Sequence, residues 1–247
     1  MKAMILAAGL GTRLRPLTDD RPKALVTVEG RTLLEISLLR LRAFGVREVV
    51  VNTHHYAEMI ADYLEANNNF GMRIELSREE ELLDTGGGLK KAAHFFQDGA
   101  DEPFILHNVD VLSTVDLGRM TRFHAEHAAL ATLAVHDRES SRHLLFDEHG
   151  GLCGRRVKGQ EKDQLVRSAD RPQPLAFSGI HVISRRFLAK MEEDGAFSII
   201  AAYLRLAGQG EKVVAFRADE FYWRDLGRPE SILQAAQDIA SGAYSIT

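Results

Sequence analysis

Apolar and polar positions divide the chain into short buried runs and amphipathic stretches that alternate. MKAMILAA (1–8), REVVVN (47–52) and PFILHN (103–108) are apolar at successive positions, the pattern of strands covered on both faces. MRIELS (72–77) and ALATLAV (129–135) read as two more strands. Between these runs, residues 32–44, 56–66, 87–96 and 117–127 carry apolar side chains at helical spacing and predict helices. Such alternation predicts a mostly parallel central sheet with helices on both sides, a Rossmann-like three-layer α/β sandwich.

After residue 137 the pattern changes. RHLLFD (142–147) and GLCGRRV (151–157) predict a β-hairpin, and the polar run GQEKDQLVRSADRPQP (159–174) a mobile loop, together a small lobe beside the sheet. PLAFSGIHVIS (174–184) resumes as a strand and residues 198–207 as a helix. EKVVAFR (211–217) is a strand, and residues 229–241 form a closing helix with Pro229 in its first turn. No fixed period recurs, and no hexapeptide pattern of a carboxy-terminal β-helix is expected. Residues 1–247 read as one domain.

Composition narrows the function classes. A chain of 247 residues with 45% hydrophobic and 27% charged positions can bury one sizeable core. The net charge of -4 is spread out, and no Lys/Arg run with interleaved aromatics offers a nucleic-acid track. Cys153 is the only cysteine, which excludes an intramolecular disulfide and a cysteine-based zinc cluster. The apolar start is interrupted by Arg13 and Arg15, too early for the ~7 to 15 apolar residues of an export signal, and no run reaches a membrane span of ~18 to 20. A cytoplasmic protein without nucleic-acid or membrane partners is expected.

The stretch GLGTRLRPLTDDRPK (9–23) follows the first strand, where sheets of this type bind ligands. It does not complete G-x-G-x-x-G, since Leu14 stands where the third glycine belongs, and G-x-x-x-x-G-K-[ST] occurs nowhere in the chain. What remains is a glycine-loosened loop whose amides can approach an anion, with Thr12, Arg13, Arg15 and Lys23 as donors. An arginine fork grips two phosphate oxygens and a lysine supplies a mobile point charge, a pairing suited to phosphoryl or nucleotidyl transfer.

Residues 9–23 match G-x-G-T-R-x-x-P-x(5)-P-K, and the chain resembles the sugar-1-phosphate nucleotidyltransferases, the sugar-nucleotide pyrophosphorylases. LDTGGG (83–88), HNVDV (107–111), FSGI (177–180) and WRDLGRPE (223–230) follow in that family's order. Within it, the chain is most similar to the short, single-domain uridylyltransferases of bacterial cell-wall recycling that act on N-acetylmuramate-1-phosphate. The resemblance implies attack of a sugar-1-phosphate on the α-phosphorus of a nucleoside triphosphate, UTP being favoured, with pyrophosphate released. Residues 1–136 would form mainly the nucleotide half and 137–247 mainly the sugar half, in a monomer or homodimer. Mannose-1-phosphate guanylyl transfer, or transfer to heptose or choline phosphate, is the rival within this chemistry. A catalytically silent nucleotide-sugar sensor is the rival outside it.

Carried over residue by residue, the resemblance places Gly11, Thr12 and Arg13 on the triphosphate, Arg13 on the departing pyrophosphate, and Lys23 between the reacting phosphates. Asp110 and Asp225 match the aspartates that hold Mg²⁺. Ala7, Ala8 and Gly9 face the nucleoside, and the amides of Gly86, Gly87 and Gly88 open a helix toward the base or ribose. Asn108, Ser178 and Gly179 line the sugar, with Trp223 as a wall. Two positions depart from the pattern: Val109 replaces the glycine before the metal aspartate, and Asp84 the glutamate before TGGG. His54 and His55 follow a strand end but are too few for a metal site. Arg155, Arg156 and Lys158 either reach the sugar phosphate or form a solvated face.

Overall fold

The computed structural model describes residues 1–97 and 102–245. β1 (Lys2–Leu6) leads through a long loop to the short pair β2 (Thr27–Val28) and β3 (Arg31–Thr32), then α1 (Leu33–Ala43), β4 (Glu48–Thr53), α2 (Ala57–Ala66), β5 (Arg73–Arg78) and α3 (Asp84–Lys91). β6 (Phe104–Asn108), β7 (Val111–Ser113), α4 (Leu117–Glu126) and β8 (Ala131–His136) complete the first half. The second half holds β9 (Arg142–Phe146), β10 (Leu152–Val157), β11 (Gln164–Leu165), β12 (Gln173–Ile183), α5 (Ile199–Gly208), β13 (Val213–Arg217), β14 (Trp223–Asp225) and α6 (Pro229–Ala240). Among the described residues no helix is long and apolar enough to cross a membrane.

β1 lies between β4 and β6, parallel to both, with Met4 opposite Val50 and Leu106. β5 extends the sheet beyond β4, while β12, β8 and β13 extend it beyond β6. β12 alone runs against the others, so six of these seven strands point the same way. Side chains of β1 alternate between two apolar clusters. Ala3 and Ile5 pack with Leu34, Leu38 and Leu41 of α1, and Met4 and Leu6 with Leu89 of α3 and Tyr203 of α5. These are the three predicted layers.

The hairpin lobe forms as β9 and β10, joined to the main sheet through residues Gln173, Pro174 and Leu175 of β12. The stretch read as a mobile loop contains β11, which pairs with Gly154 and Arg155. A Cβ on Gly154 would lie 2.4 Å from the Gln164 carbonyl oxygen, so only glycine admits this close third strand. The helix expected at 87–96 instead begins at Asp84 and tightens into a 3₁₀ segment, Ala92–Phe96. Helix starts follow capping chemistry: the Thr32 hydroxyl accepts from the Glu35 amide at 3.0 Å and the Asp116 carboxylate from the Arg119 amide at 2.9 Å.

Two histidines lie in the sheet interior. His107 of β6 and His181 of β12 are both about 1% exposed. Burial, with the Arg40 charge added, pushes the His107 imidazole down to about 4. Burial, with His107 nearby, takes His181 to about 3. Burial followed by the Arg186 charge takes His124 to about 4. Each is neutral when folded and titrates near 6.5 when unfolded, so the unfolded chain takes up more protons as pH falls. Stability is therefore expected to be level above about pH 6.5 and to decline below it, by up to about 1.4 kcal/mol per pH unit per histidine. Urea midpoints at pH 7.5 and pH 5.0 test this; equal midpoints would remove the histidines from the acid limb.

Candidate active site

β1 ends beneath the glycine loop, and its last amides are already spoken for. The Ala7 and Ala8 N–H groups donate to Asn52 Oδ1 at 2.6 and 3.3 Å, and Asn52 Nδ2 donates to Glu79 Oε1 at 2.7 Å. The second Glu79 oxygen accepts the Leu83 amide at 2.9 Å. Asn52 and Glu79 are both buried, so one polar network ties together the ends of β1, β4 and β5 and the entry to α3. Gly88 packs directly on it, since a Cβ there would lie 2.7 Å from Glu79 Oε1 and 2.8 Å from Asn52 Nδ2. No motif signalled this network. Its only trace in the sequence is an asparagine at the end of an apolar strand and a glutamate just past another.

The loop itself is shaped by Gly11. Its φ of +65° is left-handed, and a Cβ would meet Thr18 Cγ2 at 3.0 Å and Lys23 Cβ at 3.2 Å. The Gly11 carbonyl accepts both the Leu14 amide at 2.8 Å and the Thr18 hydroxyl at 2.9 Å. The 3₁₀ turn Thr12–Leu14 that results buries Leu14 and turns Thr12 and Arg13 outward. Gly9 lies beside Lys23, whose Nζ would be 3.7 Å from a Cβ on Gly9.

Lys23 Nζ donates to Asp110 Oδ2 at 2.9 Å, with the two side chains only 15% and 8% exposed. Burial alone would raise the Asp110 pKa, but the Lys23 charge and hydrogen bond, with Arg13 further off, hold it below the usual carboxylate value. Asp110 stands between β6 and β7. β14 pairs antiparallel with β7, placing Asp225 opposite Val111, and the Leu226 amide donates to the Asp110 carbonyl at 2.7 Å. Aspartates from distant parts of the chain thus meet across one short ladder. The Gly227 amide holds Asp225 Oδ1 at 2.8 Å. A Cβ on Gly227 would sit 2.7 Å from that oxygen and 2.8 Å from Arg13 Nη2, so Arg13 reaches Asp225's side of the cleft.

Arg13, Lys23, Asp110 and Asp225 are therefore brought into one region of the structure. Two hard carboxylates, one of them kept ionised by a buried ammonium, suit Mg²⁺, which commonly takes one or two protein carboxylates and fills its octahedron with phosphate oxygens and water. Among the described residues no group of three or more His, Cys, Asp or Glu side chains forms an all-protein metal cage.

Across the cleft, β12 shifts register against β8 between Phe177 and His181, and this bulge presents Ser178 and Gly179. Gly179 has φ +76°, and a Cβ there would strike Asn108 Nδ2 and Val111 Cγ2, each at 2.9 Å. Trp223 Nε1 donates to the Ser178 carbonyl at 2.8 Å, and the fully buried Ser178 hydroxyl pairs with His136 Nδ1 at 2.6 Å. In this arrangement the Ser178 carbonyl anchors Trp223 and its buried hydroxyl is committed to His136. His136, the last residue of β8, and Arg138, two residues beyond it, were not foreseen.

Other expectations are redirected. The Gly86 and Gly87 amides donate to the Phe197 carbonyl at 2.9 and 3.3 Å, so they are not open donors for a base. A Cβ on Gly86 would lie 2.2 Å from the Phe197 ring, and one on Gly87 2.4 Å from the Gly195 carbonyl; these glycines let α3 pack on residues 195–198. Exposed Asp84, at φ +57°, accepts the Thr85 amide at 2.6 Å. His54 bonds the Glu79 carbonyl at 2.9 Å, and the His55 ring lies tilted against Tyr56 with centroids 3.9 Å apart. Arg155 donates to Gln164 at 2.7 Å and Arg156 grips Asp163 at 2.8 and 2.7 Å, which commits both to the hairpin.

A glycine loop past the end of a parallel strand, two cations, and two aspartates brought in by one short ladder define a site that handles phosphoanhydrides. The sequence profile described as Nucleotidyl transferase matches residues 2–242, and the chain belongs to this family of enzymes. It is 35% identical over 96% of each chain to the N-acetylmuramate alpha-1-phosphate uridylyltransferase of Caulobacter vibrioides. It is 28% identical to the mannose-1-phosphate guanylyltransferase of Mycobacterium tuberculosis, over 97% of this chain and 65% of that protein. The fold superposes on HddC of Yersinia pseudotuberculosis complexed with GMP-PN with a TM-score of 0.73 and 22% identity, over 96% of this chain and 99% of that one.

Proposed function

We propose that the protein is a Mg²⁺-dependent sugar-1-phosphate nucleotidyltransferase that takes UTP, with N-acetylmuramate-1-phosphate as acceptor. The buried Lys23–Asp110 pair beside Arg13 and Asp225 carries the reading. The full-length similarity to the Caulobacter uridylyltransferase supports the choice of base and sugar. The acceptor phosphate oxygen bonds to the α-phosphorus, the bond from that phosphorus to the bridging oxygen breaks, and pyrophosphate leaves with the electron pair. The nucleophile is already an anion, so the task is to align two repelling anions and stabilise the leaving one. Asp110 and Asp225 would hold Mg²⁺, which when bound neutralises phosphate oxygens. Arg13 faces the leaving pyrophosphate and Lys23 keeps Asp110 ionised beside the reacting phosphates. Guanylyl transfer to mannose-1-phosphate is the second reading, supported by the similarity to the mycobacterial enzyme.

A pyrophosphate-release screen crossing four nucleoside triphosphates with a panel of sugar-1-phosphates tests the proposal. Release is expected from UTP with N-acetylmuramate-1-phosphate, lost on adding EDTA and restored by excess Mg²⁺. Preference for GTP with mannose-1-phosphate overturns the uridylyl assignment, and no release from any pair overturns the enzyme reading in favour of a sensor.

A further inference from the structure

We infer that Arg138 holds the phosphate of the sugar-1-phosphate acceptor, supplying the positive charge on the acceptor side of the cleft; the inference rests on the function proposed above. Its guanidinium lies 3.9 Å from the Trp223 ring centre, and Nη2 donates to the Phe177 carbonyl at 3.1 Å. Trp223 and Asp225 are two apart on β14 and share a face, so the stacked guanidinium lies on the carboxylate side of that strand. Asp225 is the charge that offsets the burial of Arg138, yet among the described residues Arg138 has no carboxylate at ion-pair distance.

The cations already assigned to the glycine loop and the hairpin are committed elsewhere. Lys23 is tied to Asp110, Arg13 stands on the Gly227 side of Asp225, and Arg155 and Arg156 are bound into the hairpin. On this inference the acceptor phosphate would approach along the Trp223 side of Asp225, where its own charge and that of the triphosphate repel and a cation is needed. Arg138 is the half-buried cation that faces this approach from the Trp223 and Phe177 wall. Stacking fixes the plane of its fork. Nη2 gives one N–H to Phe177, and Nη1 makes a long 3.3 Å contact with the Glu139 carbonyl. A guanidinium has five N–H groups, so each terminal nitrogen retains one for a phosphate oxygen. Nε is buried without a partner, an arrangement a simple surface clamp has no need to maintain.

The test uses the full-length protein, with the nucleotide and the sugar-1-phosphate that the wild type turns over. Arg138→Gln should raise the acceptor KM by at least about 10-fold, leave the nucleotide KM within about 2-fold, and weaken competitive inhibition by inorganic phosphate in parallel. Arg138→Lys keeps the charge and the aliphatic stem over the indole but loses the fork, so it should lie between, and it carries the test if the glutamine variant fails to fold. An unchanged acceptor KM and phosphate inhibition in the variants overturns the inference, as does an equal rise in both KM values, which would make Arg138 a brace for Trp223. A wild type inactive with every acceptor overturns the functional reading itself, so the two failures are distinguishable.

Discussion

Replacing Lys23 with methionine is expected to lower kcat by roughly 10²- to 10³-fold, the scale for losing one preorganised charge from a water-poor site. The structure adds a stability effect. Lys23 Nζ and Asp110 Oδ2 are 2.9 Å apart and both largely buried, so methionine leaves a carboxylate enclosed without its counter-charge. Breaking such a pair costs about 3–5 kcal/mol unless the acid protonates, and burial is the largest influence pushing Asp110 toward protonation. Two comparisons separate these effects. Lys23→Met with Asp110→Asn should regain most of the lost thermal stability without regaining turnover. Mg²⁺ should also raise the melting temperature of Lys23→Met more than that of the wild type, because a cation at Asp110 restores the missing charge. Pyrophosphate release and thermal unfolding with and without Mg²⁺ check both; wild-type turnover in Lys23→Met would remove Lys23 from the chemistry.

What could be read in the sequence was what is contiguous. The glycine loop places Gly11, Arg13 and Lys23 within fifteen residues, and their spacing survives without knowledge of the fold. β1, β4 and β6 announced themselves because both of their faces are buried. The ladder that joins Asp110 to Asp225 was invisible to periodicity: β7 and β14 are three residues each, too short for a period of two to show, and β14 is half-buried throughout. Only the family resemblance paired those aspartates. The glycines of α3 misled for a related reason. Seen locally they expose amides, but a carbonyl from residue 197 closes Gly86 and Gly87, and the buried Asn52–Glu79 pair packs on Gly88. His136, Arg138, Asn52 and Glu79 belong to no motif, and their roles arise from neighbours supplied by other strands.

Gly227→Ala provides the sharpest separation of site from fold. The backbone there is not left-handed, so alanine brings no conformational strain. Its methyl would nevertheless lie 2.7 Å from Asp225 Oδ1 and 2.8 Å from Arg13 Nη2, closer than a real Cβ approaches. Both neighbours are ends of side chains, and exposed Arg13 can swing away, so the loss of stability should stay near 1–2 kcal/mol. Turnover should fall by about 10²-fold, because Arg13 leaves the position from which it meets the leaving pyrophosphate and a displacement of about 1 Å is enough for such a loss. Asp225 must turn as well, so half-saturation by Mg²⁺ should move upward. Gly9→Ala is the control, since its Cβ would rest 3.7 Å from Lys23 Nζ, an ordinary contact, and turnover should change less. Steady-state rates against Mg²⁺ concentration, read beside melting temperatures, decide it. If Gly227→Ala matches the wild type in both rate and Mg²⁺ dependence, Arg13 and Asp225 do not act as a pair at this end of the cleft.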